Sequence, residues 1–137
     1  MPPEIRTQSV SPSGAFEIRV SMREIFNSHW LEVPTIFGRP GDSIVWTVAD
    51  DRWSLDRAAW SGECVTLTLR KYPGNHLPSD LEATIDCVAR QARLGESTVT
   101  LESLEPALEK ALAWQFAMPT PPPANDPLSR LKRFFRG

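Results

Sequence analysis

A hydrophobic period of two constrains this chain more than any other feature. In Ala15–Met22 the residues Phe16, Ile18, Val20 and Met22 fall on one side, and Glu17, Arg19 and Ser21 on the other. An extended strand with one wet face satisfies that pattern. Similar runs occupy Trp30–Val33, Thr35–Phe37, Ser43–Ala49, Cys64–Leu69, Leu81–Ala89 and Ser97–Leu101. Turn chemistry separates them at Ser11-Pro-Ser-Gly14, Gly38-Arg-Pro-Gly-Asp42, Gly62, Lys71-Tyr-Pro-Gly-Asn-His76 and Gly95. Pro34 asks for an edge position or a bulge. Arg52–Trp60 is harder to type and fits a strand, a loop and a second strand.

The period changes once. Leu104, Leu108, Ala111 and Leu112 recur at helical spacing, which predicts a helix over Ser103–Trp114, with Ser103 as N-cap and Pro106 in the first turn. The expected fold is α+β: an antiparallel β-meander of about six or seven strands with one C-terminal helix packed on it.

At 137 residues the chain should bury roughly two-thirds of its unfolded surface without disulfide staples. The composition of Pro119-Thr-Pro-Pro-Pro-Ala-Asn-Asp-Pro127 predicts an extended, fairly stiff connector. The organisation read from this is a polar leader at 1–10, a β-rich domain with its helix at 11–116, a proline-rich linker at 117–127 and a basic tip at 128–137.

Charge follows the same division. The tip holds Arg130, Lys132, Arg133 and Arg136 with no acid, whereas residues 1–127 carry 11 basic and 17 acidic residues, a net of −6. An acidic body of that kind suits a cationic protein partner better than nucleic acid, which needs a basic surface. No run approaches the length of a transmembrane helix, and no basic region followed by an apolar run opens the chain. The expected compartment is cytoplasmic. Cys64 and Cys87, 23 residues apart and outside any ligand spacing, read as small hydrophobes.

No catalytic signature stands out, and no metal or cofactor site is expected. Asp50-Asp51 with His29 is the set an enzyme of unrecognised type would use. Adjacent strand residues point to opposite faces, however, so the two carboxylates converge only if the backbone turns. The tryptophans are more informative. Trp46, Trp53 and Trp60 are spaced by seven, and Asp50, Asp51 and Asp56 surround Trp53 in sequence. Most of the rings belong to a core. One or two on an open surface beside acids would form a recognition patch, drawn from Asp50, Asp51, Trp53, Asp56 and Trp60.

The stretches Trp53-Ser-Leu-Asp-Arg-Ala-Ala-Trp60, Val65-Thr-Leu-Thr-Leu-Arg-Lys-Tyr-Pro-Gly74, Ser11-Pro-Ser-Gly14 and Ser28-His-Trp-Leu-Glu-Val-Pro34 resemble a group of small bacterial proteins of unassigned function. Some of that group are similar to immunity proteins of polymorphic or contact-dependent toxin systems. The resemblance covers about residues 11–101 and implies a cytosolic toxin neutraliser, acidic because its targets are basic. The Ser-Pro-Ser-Gly turn with its strand also resembles the opening of a β-propeller blade, although one domain is too short for a closed propeller.

In the tip, Leu128, Leu131 and Phe135 follow helical spacing with Phe134 beside them, and Asn125 or Asp126 precedes Pro127 as a cap. Ten residues do not hold a helix alone in water. Leu131, Phe134 and Phe135 therefore read as contacts with the chain's own domain or a sister chain, then with a protein partner. An anionic membrane comes last, since attachment there is weak. The combined expectation is a non-enzymatic protein-binding module, foremost an immunity protein acting on a basic bacterial toxin. An adaptor or self-associating protein working through the tip is the alternative.

Overall fold

A computed structural model describes residues 4–25 and 29–114. The linker, the tip and its Leu131, Phe134 and Phe135, and the side chain of His29, lie outside the described residues. Strands β1 (Ile5–Val10), β2 (Phe16–Ile25), β3 (His29–Gly38) and β4 (Ser43–Thr47) form a four-stranded antiparallel meander. Strands β5 (Trp53–Ser61), β6 (Cys64–Lys71), β8 (Leu81–Asp86), β9 (Gln91–Leu94) and β10 (Ser97–Thr100) form a second, five-stranded one. The short β7 (His76–Leu77) pairs with β11 (Ala113–Trp114), and helix α1 (Leu101–Ala111) stands between β10 and β11 in the chain.

The class is α+β, as the periods predict, but the expected single meander is two. Consecutive strands β4 and β5 do not pair, because residues 48–52 carry the chain out of one sheet and into the other. Residues 5–10, read from sequence as a leader, are the edge strand β1. Its polar composition hides it: Ile5 is exposed and Thr7 turns outward to Glu17. Gly62 and Gly95 make the tight turns of the β5–β6 and β9–β10 hairpins, each with a positive φ (61° and 62°) that glycine adopts without steric cost.

Both sheets supply one core. The cross-strand pairs Ile18↔Ile36 and Ile36↔Trp46 of the first sheet share it with Val65↔Ile85, Leu67↔Ala83 and Leu69↔Leu81 of the second. A bulge in β5 explains the tryptophan spacing. The register slips between Leu55 and Arg57, so Trp53 and Leu55 before it, and Ala58 and Trp60 after it, turn to the same inner face. Without the slip, odd and even positions would face opposite ways.

Helix α1 buries Leu101, Leu104 and Leu108 and packs on β9 and β10. It starts earlier than the sequence predicts: Thr100, not Ser103, is the N-cap, with its Oγ1 accepting from the Ser103 amide at 3.2 Å. Ser103 is thus the third helical residue, where its N–H needs an acceptor. Pro106 then falls inside the helix rather than in its first turn. It is exposed, so the carbonyl left without a partner is open to water. The helix ends at Ala111 because Ala113 and Trp114 pair with Leu77 and His76.

Candidate functional site

Strand parity places Lys71 on the inner face of β6, in line with Leu67 and Leu69, where a cation needs partners. It finds them at the junction of α1 with the 48–52 turn. The Lys71 ammonium, its side chain 5% exposed, lies 3.0 Å from Asp50 Oδ2 and donates to Glu109 Oε2. The same Glu109 oxygen accepts the Trp53 indole N–H at 3.2 Å, and Lys71 Nζ sits 5.6 Å from the centre of a Trp53 ring. One turn earlier on α1, Glu105 accepts the amides of Ala49 (2.6 Å) and Asp50 (2.9 Å). Two carboxylates spaced four apart therefore stitch the helix to the crossover between the sheets.

Asp50 is the hub of this cluster. Its Oδ1 accepts the Arg52 amide (3.0 Å) and Nε (3.1 Å), and its Oδ2 the other arm of the guanidinium (2.8 Å). These bonds to Arg52, together with Lys71, hold the Asp50 carboxyl well below the usual carboxylate range. Asp51 turns away and pairs with Arg23 of β2 at 3.1 Å. The two adjacent carboxylates diverge, each serving an ion pair. Beneath Lys71, its amide donates to His76 Nε2 at 3.2 Å, while His76 Nδ1–H donates to the Pro78 carbonyl at 2.7 Å.

Against this rigid corner opens a cleft of about 180 Å³, lined among others by Trp30, Leu31, Ser54, Arg70, Tyr72 and Pro73. It forms where the start of β3 meets the start of β5 and the end of β6. Trp30 is 53% exposed, an unusual state for the largest apolar side chain. Arg70, on the outer face of β6, is held by Asp56 through an Nε–Oδ1 contact of 3.1 Å. Ser54 Oγ accepts the Glu32 amide and ties the two sheets together at the cleft's edge.

No family model, curated protein or solved structure matches this chain. The reading of the site therefore rests on its geometry.

That geometry divides the residues picked from sequence. Trp53 is fully buried and belongs to the core, not to an open surface. Trp60 is partly buried at the far end of β5, seven residues or roughly 23 Å along the strand, where its Nε1–H donates to Ser9 Oγ at 2.9 Å. The two rings cannot share one patch. Asp56 reaches the cleft through Arg70, and Asp50 stands behind it through Lys71. Among the tryptophans whose side chains are described, the exposed ring beside charge is Trp30, which the sequence-based patch left out. Its signal lay in register: Trp30 opposes Glu24, one step past Met22, the last apolar residue of the β2 stripe. Among the described residues no three His, Cys, Asp or Glu side chains gather to hold a metal, and no helix is long and apolar enough to cross a membrane.

Proposed function

We propose that this chain is a non-enzymatic protein-binding module whose recognition surface is the Trp30–Arg70 cleft, and that it acts as an immunity protein on a basic bacterial toxin. The observation that carries the reading is Trp30, held half in the open beside an arginine that a carboxylate orients. Tryptophan and arginine are the side chains that most often dominate a protein interface when they seat in a partner's pocket. The wall behind them is rigid, because Lys71, Asp50 and Glu109 lock the crossover to α1. A surface ordered before binding loses little side-chain entropy on association.

Charge supports the choice of partner. The net −6 of residues 1–127 steers a cationic protein and repels phosphate backbones. The test is co-expression with the products of the genes that adjoin this one, read as relief of any growth defect they cause and as a co-purified complex. Both should be present for the native chain and lost for Trp30→Ala with its fold intact by circular dichroism. Absence of complex and relief with the native chain, or a Trp30→Ala chain that performs as well, would overturn the proposal.

A further inference from the structure

We infer that the free edge of β4 is a second docking surface, which takes an extended, basic segment of a protein partner as an added strand. This surface is separate from the Trp30 cleft and does not depend on it. Backbone direction, the shape of the groove beside β4 and its charge converge on that occupant.

In the first sheet β4 has β3 on one side and no strand on the other. The Arg39 amide donates to the Ala15 carbonyl at 2.8 Å, one step past the Phe16↔Gly38 pair of β2 and β3. Hydrogen-bonded pairs alternate along an antiparallel ladder, so Thr35 and Phe37 bond β2, whereas Ile36 and Gly38 bond β4. Within β4, Ser43 and Trp46 therefore turn their backbone groups to Gly38 and Ile36, and Ile44 and Thr47 turn theirs outward. The outward phase continues to Ala49, whose amide donates to Glu105 Oε1 at 2.6 Å. A carboxylate of α1 stands there where a partner strand would offer a carbonyl. Outward-pointing edge groups of this kind are the template for strand addition.

Beside that edge a groove of about 490 Å³ opens between β4 and α1. Six consecutive residues, Ile44–Ala49, line it. Successive strand residues point to opposite faces, so a groove that touches all six follows the strand's edge rather than either surface of the sheet. Its floor is apolar and continuous with the core, since Trp46, Val48 and Leu101 are buried there. Ile44, 55% exposed, is a large apolar side chain that an added strand would cover. An edge strand on one side and a helix on the other leave room for a single extended segment.

The wall is acidic. Glu102 and Glu105 of α1 line the groove, against one base, Arg90. Glu102 is exposed and forms no ion pair among the described residues, and Glu105 is bound to neutral amides, which leave its charge uncompensated. A second copy of the chain fits poorly. Laying β4 against β4 would bring two such walls together, on bodies whose residues 1–127 each carry 11 basic and 17 acidic residues. A foreign strand with arginine or lysine between apolar residues meets both the floor and the wall, while its backbone continues the ladder at Ile44 and Thr47.

The test adds a seven-residue amidated peptide of alternating arginine and valine to the isotope-labelled full chain. The amide resonances of Ile44–Ala49 and Glu102 should shift, and exchange of the Thr47 amide with solvent should slow. The same peptide with glutamate for arginine should bind at least about tenfold more weakly. Thr47→Pro removes an outward N–H that β3 does not use, and should weaken binding by about tenfold. Glu102→Lys leaves the strand untouched and should weaken it by about fivefold, which decides the matter if the proline variant does not fold. An absence of shifts in β4, shifts centred on the Trp30 cleft, an acidic peptide that binds as tightly, or a Glu102→Lys chain that binds as the native one does would overturn the inference. So would β4 resonances that move when the peptide-free chain is diluted, since a second copy would then hold the edge. Trp30→Ala should leave peptide binding unchanged while abolishing the toxin complex, so each reading can fail without the other.

Discussion

Replacing Lys71 with methionine isolates what the buried cluster contributes. The substitution keeps the unbranched apolar body but removes an ammonium that bonds both Asp50 and Glu109. Hydrogen bonds to charged groups contribute about 1.5–3 kcal/mol each, and breaking a fully buried ion pair costs about 3–5 kcal/mol. Here the stranded carboxylates are not fully buried. The Asp50 and Glu109 side chains remain 27% and 36% exposed, so water partly replaces the lysine. Asp50 also keeps its bonds to Arg52, and Glu109 keeps the Trp53 indole. The expected loss is therefore about 2–3 kcal/mol, below the fully buried limit. For a chain of this size that lowers Tm by about 6–15 °C. The control is Arg6→Met, which breaks the 3.3 Å Arg6–Glu32 pair whose side chains are 53% and 34% exposed. Exposed pairs contribute at most about 1 kcal/mol. Urea unfolding followed by tryptophan fluorescence measures both, with the m-value held constant as the check on two-state behaviour. If Lys71→Met loses no more than Arg6→Met, the cluster does not lock the crossover and the reasoning fails.

Asp50 also sets an acid limit. Its carboxyl is depressed in the folded state by Arg52 and Lys71, so its contribution is present above the unfolded value near pH 4 and fades as pH falls below it. Asp50→Asn should flatten that part of the curve of urea midpoint against pH; an unchanged acid limb would refute the assignment. Burial pushes the Cys87 thiol up to about 12 and raises that of Cys64 as well. In native protein at mild pH a thiol reagent should modify the half-buried Cys64 first and Cys87 only on unfolding, as peptide mapping against time would show. A Cys87 that reacts at the rate of a free thiol would contradict its place in the core. Thr100→Ala should cost about 1 kcal/mol of stability and Ser103→Ala much less, the reverse of the order expected if Ser103 were the cap.

The strands were legible because alternation is a direct imprint of a one-sided core, and Phe16–Met22 or Leu81–Cys87 carry it without interruption. What alternation does not encode is pairing. The crossover at residues 48–52 depends on Glu105 and Glu109, more than 50 positions away in the chain, accepting its amides and the Trp53 indole. A bulge likewise leaves no local mark, so the inner placement of both Trp53 and Trp60 follows only from the slip beside Asp56. Lys71 is hidden in a turn-rich connector, although it continues the inner phase of Leu67 and Leu69, four and two residues before it. Strand β1 was missed because an edge strand with Ile5 exposed has little apolar stripe to read. The proposed patch moves for the same reason: tryptophan beside acids in sequence marks Trp53, but burial is decided by the register of whole sheets, and that leaves Trp30 exposed.

The most direct test of the proposed recognition surface is the affinity of the full chain for the toxin proposed as its partner, compared between Trp30→Ala and Trp60→Ala. Trp60 serves as control because it is partly buried on Ser9 at the opposite end of β5. Loss of an interface anchor costs about 2 kcal/mol or more, a weakening of roughly 30-fold. Trp30→Ala should show that loss in calorimetric titration, with Trp60→Ala close to the native chain once folding is verified. Equal affinities for native and Trp30→Ala chains, or the larger loss at Trp60, would contradict the placement of the binding surface at the cleft.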